Sequence, residues 1–124
     1  MFVICDIEWA INDKKQISLT QLAASRVNEK WHTLESFFSL ARPQNASFED
    51  WEQVCYAGHK SIDFLHAPSA YSVLLEFEAW LKEDDIILWW YDESQKTMKS
   101  FFRILFKKSF DVPSKILVEY MPSF

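Results

Sequence analysis

Asp6 and Glu8 stand two residues apart in "FVICDIEWA", the stretch that begins at Phe2. Side chains two apart on a strand share a face. The two carboxylates therefore stand side by side and repel each other unless a cation lies between them, and whether that cation is a metal is the chemical question this stretch raises. The bland alternative is a strand that ends at a sheet rim with two solvated charges. The apolar approach from Phe2 reads as a strand buried on both faces, and open α/β sheets place ligands at the carboxyl ends of such strands.

Other groups could do chemistry. Lys99, Arg103 and Lys107 recur every four residues, a row that either tracks a nucleic-acid backbone or forms a solvated helix face near a C-terminus that favours cations. Cys55 and His59, with His66 and His32 further away, lack the ligand count and spacing of a zinc site and read as scattered residues. Of the tryptophans, Trp80, Trp89 and Trp90 fall in segments that read as core. Trp9, beside the carboxylates, is the candidate for stacking on a base.

The elements that must position these residues follow from periodicity. Phe2 to Ile7 is a strand, "INDKK" a turn, and "ISLTQLAASRV" and "KWHTLESFFSL" are two longer strands joined by "NEK", which makes an antiparallel meander of three. "SFEDWEQVCYAG" reads as a short helix capped by Ser47 and ending near Gly58, and "HKSIDFLHA" as an irregular connection. From Pro68, apolar residues at three- and four-residue steps (Ala70, Val73, Leu74, Phe77, Trp80, Leu81) predict an amphipathic helix stopped by "EDD". "IILWWY" is a second buried strand. "DESQKTMKSFFRILFKKS" is a second long helix, with Asp92 and Gln95 as a capping box, and "KILVEY" is a last strand. Strands that flank long helices pair in parallel with the helices packed across them. The expected fold is a mixed α/β sheet, a three-stranded antiparallel meander continued by parallel strands, with flanking helices.

Bulk properties narrow the function. The 124 residues suffice for one domain and one core, and 49% hydrophobic with 25% charged residues is a globular balance. One glycine, Gly58, excludes a dinucleotide fingerprint or a P-loop. A net charge of −5 leans against a protein that grips nucleic acid by overall charge, yet leaves room for a nuclease whose acidic site needs metal before it approaches phosphate. Two cysteines, no basic-then-apolar leader and no apolar run of membrane-spanning length lead to the expectation of a cytoplasmic protein with reduced thiols and no membrane partner.

Asp6, Ile7, Glu8 and Trp9 match the "Asp-x-Glu-Trp" version of a known first motif, and the order of elements fits the same family. The chain resembles the DEDD (DnaQ-like) 3′–5′ exonuclease superfamily, which has a ribonuclease-H-like fold. "ISLTQLAASRV", "FFSLARPQ" and "APSAYSVLLEFEAWLKEDDIILWW" stand where that family has its second strand, the close of its third, and the helix and strand before its second motif. The resemblance covers residues 1–124 in order as one exonuclease-like domain. It implies metal-dependent phosphodiester hydrolysis on single-stranded DNA or RNA, with two Mg2+ or Mn2+ ions held by four carboxylates. Asp6 and Glu8 would be the catalytic, metal-binding pair and Trp9 a substrate contact.

The other motifs depart from the pattern. Anchoring on Trp90 and Met98 puts Ser94 where the second motif has its aspartate, with Asp92 and Glu93 close by as substitute metal ligands. The third motif has no counterpart before Phe124, so the expectation is either a piece of a longer protein or a site never completed, inactive as this chain. An apolar sheet face left without its helix invites a homo-oligomer or a further domain. The alternative function is a catalytically dead nuclease fold that serves protein binding or dimerisation.

Overall fold

Three long strands open the chain, and the first two keep, over most of their length, the two-residue alternation that a half-covered sheet demands. The computed structural model describes residues 1–44 and 60–117. β1 (Phe2–Ile11) and β2 (Ile17–Val27) pair antiparallel, as do β2 and β3 (Thr33–Leu40). β1 is longer than the Phe2–Ile7 strand read from the sequence. It continues past the carboxylates because β2 supplies ladder partners as far as Ile11, which faces Ile17.

Both hairpin turns avoid glycine by the same device. Asn12 Oδ1 accepts hydrogen bonds from the backbone N–H groups of Lys14 and Gln16, at 3.0 and 2.9 Å. Asn28 Oδ1 accepts from those of Lys30 and His32, at 2.9 and 3.0 Å. Each turn then closes through a left-handed residue, Lys15 (φ 60°) or Trp31 (φ 65°), at the place where a hairpin of this kind usually carries glycine. A side chain in that region costs about 1–2 kcal/mol, and the asparagine bonds offset it. Trp31 also stacks on Phe2 with ring centres 6.0 Å apart.

The parallel half follows. α1 (Ser61–Leu65) and α2 (Ala70–Trp80) precede β4 (Ile86–Trp89), and α3 (Asp92–Phe106) leads to β5 (Ser114–Ile116). The sheet order is β3-β2-β1-β4-β5, with β1–β4 and β4–β5 parallel. This is the expected mixed sheet. Val3, Cys5 and Ile7 of β1, Leu22 and Ala24 of β2, and Ile87 and Trp89 of β4 share one core with Val73, Leu74 and Phe77 of α2 and Met98, Phe101 and Phe102 of α3. Both long helices therefore cover one side of the sheet. On the other side a small cluster joins Ala10, Leu40 and Phe64 of α1.

Some sequence expectations need correction. α1 falls in the stretch read as irregular; five residues are too few to show a helical stripe. α2 stops at Trp80, with Leu81 already extended, because the turn that follows is organised by Asp85, whose Oδ2 accepts from Lys82 N–H at 2.8 Å. Asp92 is not the cap of α3. Tyr91 takes that position without a side-chain bond, and Asp92 Oδ2 instead pairs with Lys96 Nζ at 3.0 Å. Trp89 is core and Trp80 is half-buried, whereas Trp90 is 45% exposed. β4 needs only four residues to match Phe2–Cys5, so the last part of "IILWWY" lies beyond the sheet. The helix expected over 47–58 lies outside the described residues.

At the edge where β1 and β4 begin, a charged group is buried. Arg26 of β2 is 1% exposed. It donates to Asp85 through Nη2–Oδ2 at 2.7 Å and Nε–Oδ1 at 3.3 Å, to Glu35 at 3.0 Å and to the Trp80 carbonyl at 3.0 Å. Its guanidinium lies 4.0 Å from the centre of the Trp80 ring. Burial alone would raise the Asp85 pKa. The Arg26 hydrogen bonds, the Lys82 N–H, the Arg26 charge and the amino terminus outweigh it and hold that carboxyl below its ordinary value. Asp85→Ala leaves the buried guanidinium without its main partner, and urea unfolding is expected to show a loss of about 3–5 kcal/mol. A carboxyl with a depressed folded pKa stabilises fully above its unfolded value, roughly 3.9, and loses that contribution as pH falls through the folded value. Asp85→Asn is therefore expected to flatten the acid limb of stability below about pH 4.

Candidate functional site

Register decides where the two carboxylates stand. Ile4, Asp6 and Glu8 face Ser25, Ala23 and Gln21 on β2, which in turn face Ser36, Phe38 and Leu40 on β3. These residues lie on the side of the sheet opposite α2 and α3. β4 pairs with β1 only as far as Cys5–Trp89, so Asp6 and Glu8 project past the carboxyl end of β4. A slip of one residue would turn both carboxylates into the core and Cys5 and Ile7 out of it, a strong penalty that fixes the register. Just after Glu8 the β1–β2 ladder shifts, because Gln21 faces Glu8 while Leu19 faces Trp9 and Thr20 is extra. Such a bulge re-aims the side chains beside it.

Asp6 lines an open hollow of about 360 Å3 on this face together with Ile4, Ala23, Ser25, Ser36 and Phe38. Asp6 and Glu8 are exposed as residues, and partial desolvation by the apolar surface around it raises the Asp6 carboxyl pKa despite an opposing hydrogen bond from the Ile7 backbone. Glu8 is raised for the same reason and further by the charge of Asp6. Among the described residues, neither carboxylate has a lysine or arginine partner. Two partly desolvated carboxylates without a protein cation are suitable oxygen donors for a hard divalent ion, which Mg2+ sites often hold with one or two carboxylates plus substrate phosphate. The neighbouring Cys5 thiol is buried and held well above its ordinary pKa by desolvation and by the Asp6 charge, which makes it inert as a nucleophile.

The remaining candidates lie as follows. Asp92 and Glu93 open α3 and are exposed, with Asp92 engaged by Lys96. Ser94, on the first turn of α3, is buried. Among the described residues no three histidine, cysteine, aspartate or glutamate side chains gather at a point that could hold a metal ion. Trp9 is half-buried and packs against the main core rather than standing free beside Glu8. Lys99, Arg103 and Lys107 are exposed along α3. Cys55 and His59 lie outside the described residues, while His32 closes the second hairpin and His66 ends α1.

Sequence reading missed Trp90 and Tyr91. They leave the sheet directly after Trp89, one step beyond the level of Cys5, so they sit at the same edge as Asp6. They are 45% and 63% exposed and meet edge to face with ring centres 6.5 Å apart. A continuous apolar run conceals where a strand stops.

No family model matches the chain, and no curated protein matches it by sequence. Its fold is similar to that of the nuclease domain of 3′hExo, a DEDDh family member, bound to rAMP, with a TM-score of 0.66 and 12% identity over 86% of this chain and 59% of that one. It is also similar to E. coli Exonuclease I in complex with a dT13 oligonucleotide, with a TM-score of 0.73 and 14% identity over 97% of this chain and 28% of that one. The metal-free form of the E. coli ExoI–ssDNA complex gives a TM-score of 0.76 at the same identity and coverage. This chain spans less than two thirds of each. The likeness shows a shared fold, the ribonuclease-H-like mixed sheet of DEDD-type exonucleases.

The electrostatics of the pair give a direct test. Replacing both carboxylates with amides (Asp6→Asn, Glu8→Gln) removes two like charges from partly desolvated positions. Calorimetry in chelator-treated buffer at pH 7 is expected to show a melting temperature a few degrees above that of the wild type.

Proposed function

We propose that the chain is a nucleic-acid-processing domain of the 3′–5′ exonuclease type, which engages single-stranded DNA or RNA at a divalent ion held by Asp6 and Glu8. The observation that carries this reading is the pair itself. Two partly desolvated carboxylates, with no lysine or arginine partner among the described residues, project from the central strand at the carboxyl edge, on the side of the sheet away from the two long helices, in a fold similar to that of exonucleases. Asp6 and Glu8 would hold Mg2+ or Mn2+ through their carboxylate oxygens. Such an ion, when bound, supplies charge stabilisation at phosphoryl oxygens. Trp90 and Tyr91 would offer aromatic faces to a base at the same edge. The acidic net charge makes the ion a precondition for approaching phosphate. The proposal sets the protein in the cytoplasm, where Cys5 and Cys55 stay reduced.

Ser94 argues for a restriction. A buried hydroxyl where the family carries a carboxylate, with Asp92 committed to Lys96, leaves the described residues with half of a two-metal set. The reading is therefore that this chain binds metal and strand without cleaving. A second reading, a nuclease fold retained purely as a protein-binding or dimerisation module, draws on the same Ser94 and on the hollow beside Phe38, which is 59% exposed among the described residues.

Four measurements separate these readings. Millimolar Mn2+ is expected to raise the melting temperature of the wild type and leave the Asp6→Ala, Glu8→Ala variant unchanged. A hundredfold excess over Kd contributes about 2.7 kcal/mol, well within calorimetric reach. With Mn2+ present, a 3′-labelled oligonucleotide is expected to remain intact; degradation that Asp6→Ala abolishes would refute inactivity and establish the enzyme. Trp90→Ala is expected to weaken binding of a short oligo-dT by about 5- to 100-fold, the worth of one stacked base. Undetectable oligonucleotide binding together with a dimer in sedimentation would favour the binding module.

A further inference from the structure

A groove of about 530 Å3 opens between the first hairpin, the residues after β3, the start of α2 and the second half of α3. Asp6 and Glu8 do not line it. Three cations do: Lys15, Arg42 and Arg103. Each is brought there by a different constraint. Lys15 is the left-handed residue that closes the Asn12 turn. Arg42 is held beside the start of α2, since its N–H donates to the Pro68 carbonyl at 2.8 Å and it bridges Ser69. Arg103 projects from the last turn of α3.

Among the described residues no carboxylate lines the groove, and none of the three cations makes an ion pair. This convergence is not a by-product of a basic chain, since the net charge is −5. The amino-terminal end of α2 points the same way. Ala70, its first residue, lines the groove, and its first turn carries no acidic side chain, so the positive end of the helix dipole adds to the three cations. The floor differs in character: Leu19 and Phe101 are buried there, and Ile104, 55% exposed, stands at the rim.

We propose that this groove binds a small organic phosphate, its phosphate taken by Lys15, Arg42 and Arg103 and its apolar body laid on Leu19, Phe101 and Ile104. Two guanidinium forks suit a phosphate dianion because each can donate two parallel hydrogen bonds. The volume lies within the range of small-molecule sites, roughly 300–1,000 Å3, and the apolar floor has no use for a bare inorganic anion. Nothing in this assignment uses Asp6, Glu8 or a metal ion, so it stands or falls apart from the nuclease reading.

The test is isothermal titration of the full chain with 1-naphthyl phosphate, inorganic phosphate and 1-naphthol. The naphthyl phosphate is expected to bind about 10-fold or more tightly than either fragment. Arg42→Gln with Arg103→Gln, both at exposed positions, is expected to weaken it by about 10-fold or more. Lys99→Gln with Lys107→Gln, an equal loss of charge on the same helix outside the groove, is expected to leave it unchanged, as is Asp6→Ala with Glu8→Ala. Circular dichroism melting of each variant confirms that the fold is kept; if the arginine pair does not fold, Ile104→Asp at the exposed rim replaces it with the same expected loss. Absence of binding, equal affinity for inorganic phosphate, insensitivity to the arginine pair or to Ile104→Asp, or an equal loss in the lysine control would each overturn the proposal.

Discussion

The buried pair of Arg26 and Asp85 ties together four separate parts of the described molecule. It joins the end of β2 to Glu35 of β3, to the last carbonyl of α2 and to the turn that launches β4, with the amino-terminal ammonium 3.7 Å from Asp85. A charge with 1% exposure is tolerable only when its donors are saturated, and Arg26 meets that requirement with carboxylates, a carbonyl and the Trp80 ring. The antiparallel and parallel halves of the sheet are thereby locked where β1 and β4 begin. The carboxylates lie at the other end of β1, beyond the reach of β4. The buried ion pair lies at one edge and the candidate chemistry at the opposite one.

That unfavourable charge is the defining property of the Asp6–Glu8 face. Asp85 pairs with Arg26, Glu78 with Lys108 and Asp92 with Lys96, whereas exposed carboxylates such as Glu76 and Glu83 stay in solvent without an ion pair among the described residues. Asp6 and Glu8 have none among the described residues, and both are pushed toward protonation by partial desolvation. The strand could accept neutral residues at these positions at no cost to the fold, since they face away from the main core. Their cost is what gives the metal-binding reading its weight. The same logic, with sign reversed, applies to Lys15, Arg42 and Arg103. Uncompensated like charges gathered from separate elements are costly in isolation and useful toward a ligand of opposite charge.

The fold was largely legible before any coordinates. β2 coincides with "ISLTQLAASRV", α2 begins after the proline where its stripe begins, and the mixed sheet follows from the order of elements. Those features are local, because alternation and helical stripes record which side of an element faces the core. The errors have physical causes as well. Continuous apolar runs hide strand ends, so Trp90 reads as core when it is exposed. A five-residue helix leaves no period to detect. The capping box at Asp92 was outcompeted by an ion pair one turn along the helix.

For the site, the amino-acid sequence by itself determined that Asp6 and Glu8 share a face, because that is a matter of spacing within one strand. It could not say that Trp9 turns toward the core while Trp90 and Tyr91 turn out, nor that Arg26, a charged residue in a strand, is buried. Only the tertiary structure decided those, and only it brought Lys15, Arg42 and Arg103 to one groove from a hairpin, a bridge and a helix far apart in the chain. Juxtaposition across elements depends on register and crossover, which are set by the packing of the whole sheet and leave no trace in the local order of residues.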